Sequence, residues 1–187
     1  GVPMPVRNDI TQVPDKTATP PEFAWWEFEI DDLTAGKADF MMSITDASGP
    51  DLSRFLNREN GKLLLLHGWG DSEVQLQSTL NYYRSVVSET FGGNLDAARE
   101  KTRFFMVPGM SHCGGGPGLE SFDRLAPLTD WVENGNAPNY LVGEHLTGGV
   151  VDNQRKICPY PELATYRGPA GGQNDPSNWV ENNFECR

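Results

Sequence analysis

No window of this sequence approaches the eighteen or so consecutive apolar residues of a membrane span, so a transmembrane helix is not expected within its 187 residues. Basic residues are scarce: 15 Lys or Arg stand against 26 Asp or Glu, a formal net charge of −11. A balance this acidic repels phosphate backbones and anionic lipid surfaces, which argues against a nucleic-acid partner and against a membrane partner. The opening Gly1-Val2-Pro3-Met4-Pro5 has neither an initiator Met nor the basic-then-apolar order of a signal peptide, so any targeting segment is expected to have been removed or never included. Cysteine is limited to Cys113, Cys158 and Cys186, an odd count that allows one internal bridge and leaves one thiol free or bonded outside the chain. Also missing are internal repeats, a low-complexity tract, a Gly-x-Ser-x-Gly nucleophile elbow and a His-Glu-x-x-His metal motif.

What is present suffices for one folded domain. Hydrophobic residues make up 37% and aromatics 10%, enough to bury a core, and a charged fraction of 22% of mixed sign is not that of a polyelectrolyte. Residues 1–22 carry Pro3, Pro5, Pro14, Pro20 and Pro21 among polar residues and read as an extended lead-in, after which Trp25 and Trp26 read as packing anchors. A short helix is expected over 51–56. The unbroken Leu63-Leu64-Leu65-Leu66 run, ended by Gly68-Trp69-Gly70, has the pattern of a strand buried on both faces. Helical spacing over 73–91 stops at Gly92-Gly93, a short helix over 95–100 follows, and Arg103-Phe104-Phe105-Met106-Val107 is a second buried strand. Strand, helix, strand in this order predicts a parallel pair. A further amphipathic helix is expected over 119–134, with Pro127 interrupting its interior. The tail from Arg155 lacks periodicity, and a bridge from Cys158 to Cys186 would stabilise it by about 3 kcal/mol.

Catalytic groups gather beyond the carboxyl ends of parallel strands. One such end carries His67-Gly68-Trp69-Gly70-Asp71, and the other carries Pro108-Gly109-Met110-Ser111-His112-Cys113 with three glycines behind it. Asp71 and His112 are candidates for the orienting acid and the general base of a nucleophilic hydrolase, because a carboxylate fixes the imidazole tautomer and stabilises its charged form. The structural alternatives are a cap for Asp71 and an ordinary loop histidine for His112. His67 is expected to pack or hydrogen-bond locally, and nothing around His145 suggests chemistry. Ser111 is a poor nucleophile, since the base sits beside it and the closing glycine of an elbow is missing. Reading His67-Gly68-Trp69-Gly70 as an oxyanion-hole turn fails because no elbow follows. His67, Asp71 and His112 are possible metal ligands by type, without a compact motif.

These residues resemble a known family. His67-Gly68-Trp69-Gly70-Asp71, Tyr82-Tyr83, the run from Pro108 through His112-Cys113-Gly114-Gly115-Gly116-Pro117-Gly118, and Trp131-Val132-Glu133-Asn134-Gly135-Asn136-Ala137-Pro138 look like the C-terminal part of the tannase and feruloyl esterase family. Arg155-Lys156-Ile157-Cys158-Pro159-Tyr160-Pro161, Tyr166-Arg167-Gly168 and the final Asn183-Phe184-Glu185-Cys186 are similar to that family's ending. The resemblance runs from about Asp51 to Cys186.

The resemblance implies an α/β chain, the C-terminal portion of an α/β-hydrolase fold with parallel strands and covering helices, incomplete without its upstream part. Residues 1–50 would lead into the hydrolase core, 51–150 would form its C-terminal half with the acid and base, and 151–187 would be a disulfide-closed tail. Asp71 and His112 would belong to a Ser-His-Asp triad whose serine, on an upstream segment of the same enzyme, lies outside these residues. Phenolic-acid esters would be the substrates, with a secreted or periplasmic location. Cys113 would bridge to a cysteine preceding that serine, and Cys158 to Cys186. The family's structural calcium belongs to a lid that these residues do not contain, so no cofactor is expected here. Ser72-Glu73-Val74-Gln75 departs from the proline-rich start usual after the acid. The alternative function is a non-catalytic α/β-hydrolase-like domain that binds an aromatic or glycan ligand through Trp25, Trp26 or Trp69.

Overall fold

Strands β1 (Leu63–Gly68) and β2 (Thr102–Val107) pair in parallel, from Leu63 opposite Thr102 to Gly68 opposite Val107. The computed structural model describes residue 31 and residues 43–187; the proline-rich lead-in, Trp25 and Trp26 lie outside the described residues. The chain divides into two compact units, Gly1–Gly49 and Pro50–Arg187, and the second carries every element described below.

Alternation along the pair sorts its side chains onto two faces. Leu64, Leu66, Phe105 and Val107 pack with Met110, Leu119, Leu141 and Ile157. Leu65, Phe104 and Met106 pack on the other side with Tyr83 and Val87 of α1 (Leu76–Phe91) and with Ala98 of α2 (Leu95–Arg99). Phe104 and Phe105 are fully buried on opposite faces, each contributing roughly 2–3 kcal/mol of apolar burial. The outer edge of β1 is unpaired among the described residues, which leaves its leucines half-buried. The far edge of β2 is covered: Phe105 bridges Pro159, and the Tyr160 N–H donates to the Phe104 carbonyl at 2.7 Å.

Local chemistry sets the helix limits. Helix α1 begins at Leu76 rather than residue 73, because Gln75 is extended at ψ 126° and the Val74 carbonyl before it is bonded to His67 Nε2 instead of a helical N–H. It ends where Gly92 adopts φ 60°, a left-handed cap that glycine enters without penalty. The Asn94 side chain caps α2 by accepting from the Ala97 N–H. Instead of a short α-helix over 51–56, a single π-type turn spans Arg54–Arg58.

Helix α3 is much shorter than expected, Ala126–Asn134 in place of 119–134. The Asp123 carboxylate accepts from the N–H groups of Leu125 and Ala126 and starts the helix there, which puts Pro127 in the first turn, where its missing N–H costs nothing, rather than in the interior. Upstream, the backbone of Glu120 and Ser121 bonds to Glu144 and cannot also be helical. Leu125 and Val132 are exposed and Trp131 is buried, so the apolar residues of this segment do not share one core face.

A hairpin follows that the sequence reading did not contain. Strands β3 (Leu141–Thr147) and β4 (Val150–Ile157) pair antiparallel across Gly148-Gly149, both at positive φ. The tail returns as β5 (Ala164–Tyr166) paired with β6 (Phe184–Cys186), and the Cys158–Cys186 disulfide closes it, with Cα atoms 5.5 Å apart.

Candidate active site

Two loops leave the carboxyl ends of β1 and β2 side by side. The Trp69 N–H donates to the Val107 carbonyl at 2.8 Å and the Gly70 N–H to the Met110 carbonyl at 2.9 Å, so the loops share hydrogen bonds as the strands do. Such close approach requires glycine: a Cβ on Gly68 would strike the Met110 and Ser111 carbonyls, and one on Gly118 would strike the Pro108 carbonyl. Gly109 turns the second loop at φ 71°.

This stitching brings Asp71 to His112. Asp71 Oδ2 accepts from His112 Nδ1 at 3.0 Å, while Oδ1 accepts from the Glu73 and Val74 N–H groups at 2.8 and 2.9 Å. The capping reading and the acid reading of Asp71 are therefore both met, one by each oxygen. The carboxylate is almost enclosed, with 5% of its side chain exposed, whereas the imidazole is 44% exposed. The Val74 N–H, followed by the bond from His112, lowers the Asp71 pKa to about 2, because both stabilise the charged form. That hydrogen bond, and then the negative charge of Asp71, raise the His112 pKa. With Nδ1–H directed at the carboxylate, the neutral ring carries its lone pair on Nε2, as a general base requires.

The surrounding groups have defined roles. A cavity of about 230 Å³ is lined by His67, Asp71, Thr79, His112, Cys113 and Arg124, among others. His67 bonds locally, through Nε2 to the Val74 carbonyl at 2.9 Å and through Nδ1 to the Thr79 hydroxyl at 2.8 Å. Both its nitrogens are thus committed to protein partners, which removes it from a metal-ligand set. Ser111 directly precedes His112 in the second loop. Cys113 is an exposed free thiol at φ 61°, unusual for a residue with a Cβ, and Arg124 holds its carbonyl with an Nη2 bond of 3.1 Å. Trp69 is exposed at the end of β1.

Sequence reasoning passed over Arg124 and Thr79, which carry no motif, and a second His–Asp pair. His145 Nδ1 lies 2.6 Å from Asp152 Oδ1, and the Thr147 hydroxyl donates to Asp152 Oδ2 at 2.6 Å. A hairpin expectation over 141–157 would have placed these residues together across the Gly148-Gly149 turn.

The family described as tannase and feruloyl esterase matches residues 10–181. A mono(2-hydroxyethyl) terephthalate hydrolase of Piscinibacter sakaiensis is 37% identical over 90% of this chain and 29% of its own length. Feruloyl esterase B of Aspergillus niger is 33% identical over 83% of this chain and 32% of its own. The crystal structure of feruloyl esterase B from Aspergillus oryzae superposes with a TM-score of 0.69 at 27% identity, covering 89% of this chain and 34% of that one. The 187 residues thus span 29% to 34% of the length of these relatives. With an α/β fold and a match along most of its length, the chain belongs to the tannase and feruloyl esterase family.

Proposed function

We propose that this chain supplies the acid and base of a serine carboxylesterase acting on phenolic-acid esters, as the C-terminal portion of an α/β-hydrolase whose nucleophilic serine lies on a segment outside these residues. The observation that carries the reading is the Asp71–His112 bond, which fixes Nδ1 as donor on a half-exposed imidazole that lines a cavity. His112 Nε2 takes the proton of the serine hydroxyl as its oxygen attacks the ester carbonyl carbon. Collapse of the tetrahedral intermediate breaks the ester C–O bond, and the leaving alcohol oxygen receives the proton from Nε2. Water attacks the acyl-enzyme with the same base assisting, which releases the acid and restores the serine. Asp71 stays ionised throughout, orients the ring and stabilises the imidazolium.

Cys113 beside the base suits a bridge to a cysteine near that serine. The Cys158–Cys186 disulfide favours a secreted or periplasmic location, since such bonds persist in oxidising compartments. A fluorophosphonate probe, followed by intact mass of every unreduced polypeptide in native material, tests the proposal. Label on a serine of a contiguous or disulfide-linked segment supports it; label on Ser111, or no label in material that hydrolyses a ferulate or gallate ester, sinks it.

A further inference from the structure

His67 is the penultimate residue of β1, and 9% of its side chain is exposed. Its Nε2 lies 2.9 Å from the Val74 carbonyl and 3.5 Å from Asp71 Oδ2, and its Nδ1 meets the Thr79 hydroxyl, on α1, at 2.8 Å. A carbonyl only accepts, so Nε2 carries the hydrogen and the Thr79 hydroxyl serves Nδ1. Val74 is thereby held at both polar backbone atoms: its N–H by Asp71 Oδ1 at 2.9 Å and its C=O by His67. The Asp71 carboxylate can rotate away from His112 only if it gives up that N–H or moves a peptide anchored to the strand end.

We infer that His67 is a positioning residue: its Nε2–H, steadied by Thr79, locks the turn of residues 71–74 so that the Asp71 carboxylate stays aimed at Nδ1 of His112. The charged groups that bear on His112 are Asp71 and Glu73, and Arg124 shares its cavity. His67 touches none of the reacting atoms and acts through Asp71, which connects β1 and α1 to the base. The catalytic consequence rests on the esterase reading above; the coupling itself does not.

Nitrogen-15 NMR of this chain tests the inference, with the His112 ring titrated in the parent and in the His67→Leu, His67→Gln and Thr79→Val variants. The parent shows hydrogen on His67 Nε2. His67→Leu lowers the His112 midpoint by roughly half a pH unit or more, because a looser carboxylate stabilises the imidazolium less. His67→Gln, whose amide nitrogen reaches the place of Nε2, restores most of that shift, and Thr79→Val gives a smaller shift in the same direction. An unmoved His112 midpoint in both His67→Leu and Thr79→Val overturns the inference; should the Leu variant not fold, an unmoved midpoint in Thr79→Val alone does so. In the serine-bearing protein, His67→Leu lowers kcat with little change in KM. Esterase activity with unmoved titration defeats the inference and not the esterase reading, whereas a moved titration without any reactive serine does the reverse.

Discussion

Asp71 Oδ2 and His112 Nδ1 stand 3.0 Å apart across 41 residues of sequence, each at the end of its own parallel strand. The other oxygen of the same carboxylate is fully engaged by the Glu73 and Val74 N–H groups. The Trp69 and Gly70 N–H groups donate to the carbonyls of Val107, at the end of β2, and Met110, so the geometry of the pair depends on backbone as much as on side chains.

Asp71→Asn keeps an oxygen for the two turn N–H groups and removes the charge facing His112. The His112 midpoint falls toward the ordinary imidazole value of about 6.5. Turnover by the serine-bearing enzyme falls by roughly 10³- to 10⁴-fold with a small change in KM, since the ring loses its tautomer restraint. Steady-state kinetics on a ferulate ester checks this, and a loss of less than tenfold would argue for a binding domain instead.

The pH profile follows from the two shifts. Catalysis needs uncharged His112, whose pKa is raised, so the acid limb of kcat/KM has its midpoint above about 6.5. For stability, the raised His112 pKa means that the contribution of the pair is complete below about pH 6.5 and is lost as pH rises through the folded-state value. The lowered Asp71 pKa means that its contribution is present above about pH 4 and is lost as pH falls toward 2. Urea unfolding at a series of pH values should therefore place the largest contribution of the pair between about pH 4 and 6.5, and Asp71→Asn should flatten that part of the curve.

Gly68→Ala places a methyl group against the Met110 and Ser111 carbonyls, which cannot retreat without moving His112. The expected cost is about 1–3 kcal/mol of stability, with weakening of the Asp71–His112 bond. Denaturant titration reads the first effect and the His112 NMR titration the second. Unchanged values for both would mean that the loops are not held as closely as described.

Opening the Cys158–Cys186 bridge, by Cys158→Ser or by reduction, releases a loop closed over a sequence separation of 28 and should cost about 3 kcal/mol. Amide exchange should rise first in β5 and β6, because the bridge ties Cys186 of β6 to Cys158, the residue after β4. The His112 titration should not move, since neither loop of the candidate site contains either cysteine.

Much of what positions the site was legible in the residues themselves. The Leu63–Leu66 run and the Phe104-Phe105 pair read as strands packed on two faces, Gly92 stops a helix of the right phase, and glycines at both strand ends mark loops that lie close together. The hairpin of β3 and β4 was not legible, because Glu144, His145, Asp152 and Arg155 dilute its alternation and its strands gain their burial from Leu119 and the β2 face. The start of α3 was misplaced because spacing alone runs on through Glu120 and Ser121, whose backbone groups are claimed by Glu144, a residue distant in sequence. His67 reads from the sequence as a residue that packs or hydrogen-bonds locally, but its partners, the Val74 carbonyl and the Thr79 hydroxyl, are named only by the fold. Residue type and periodicity by themselves determined the strand pair and its covering helix, since those depend on local burial and backbone preference, and pointed to Asp71 and His112 as neighbours at the two strand ends. Which oxygen of Asp71 faces the base, what holds that carboxylate, and where the tail's backbone bonds go were decided only by the tertiary structure, because each rests on hydrogen bonds between segments whose separation in sequence carries no record of their distance in space.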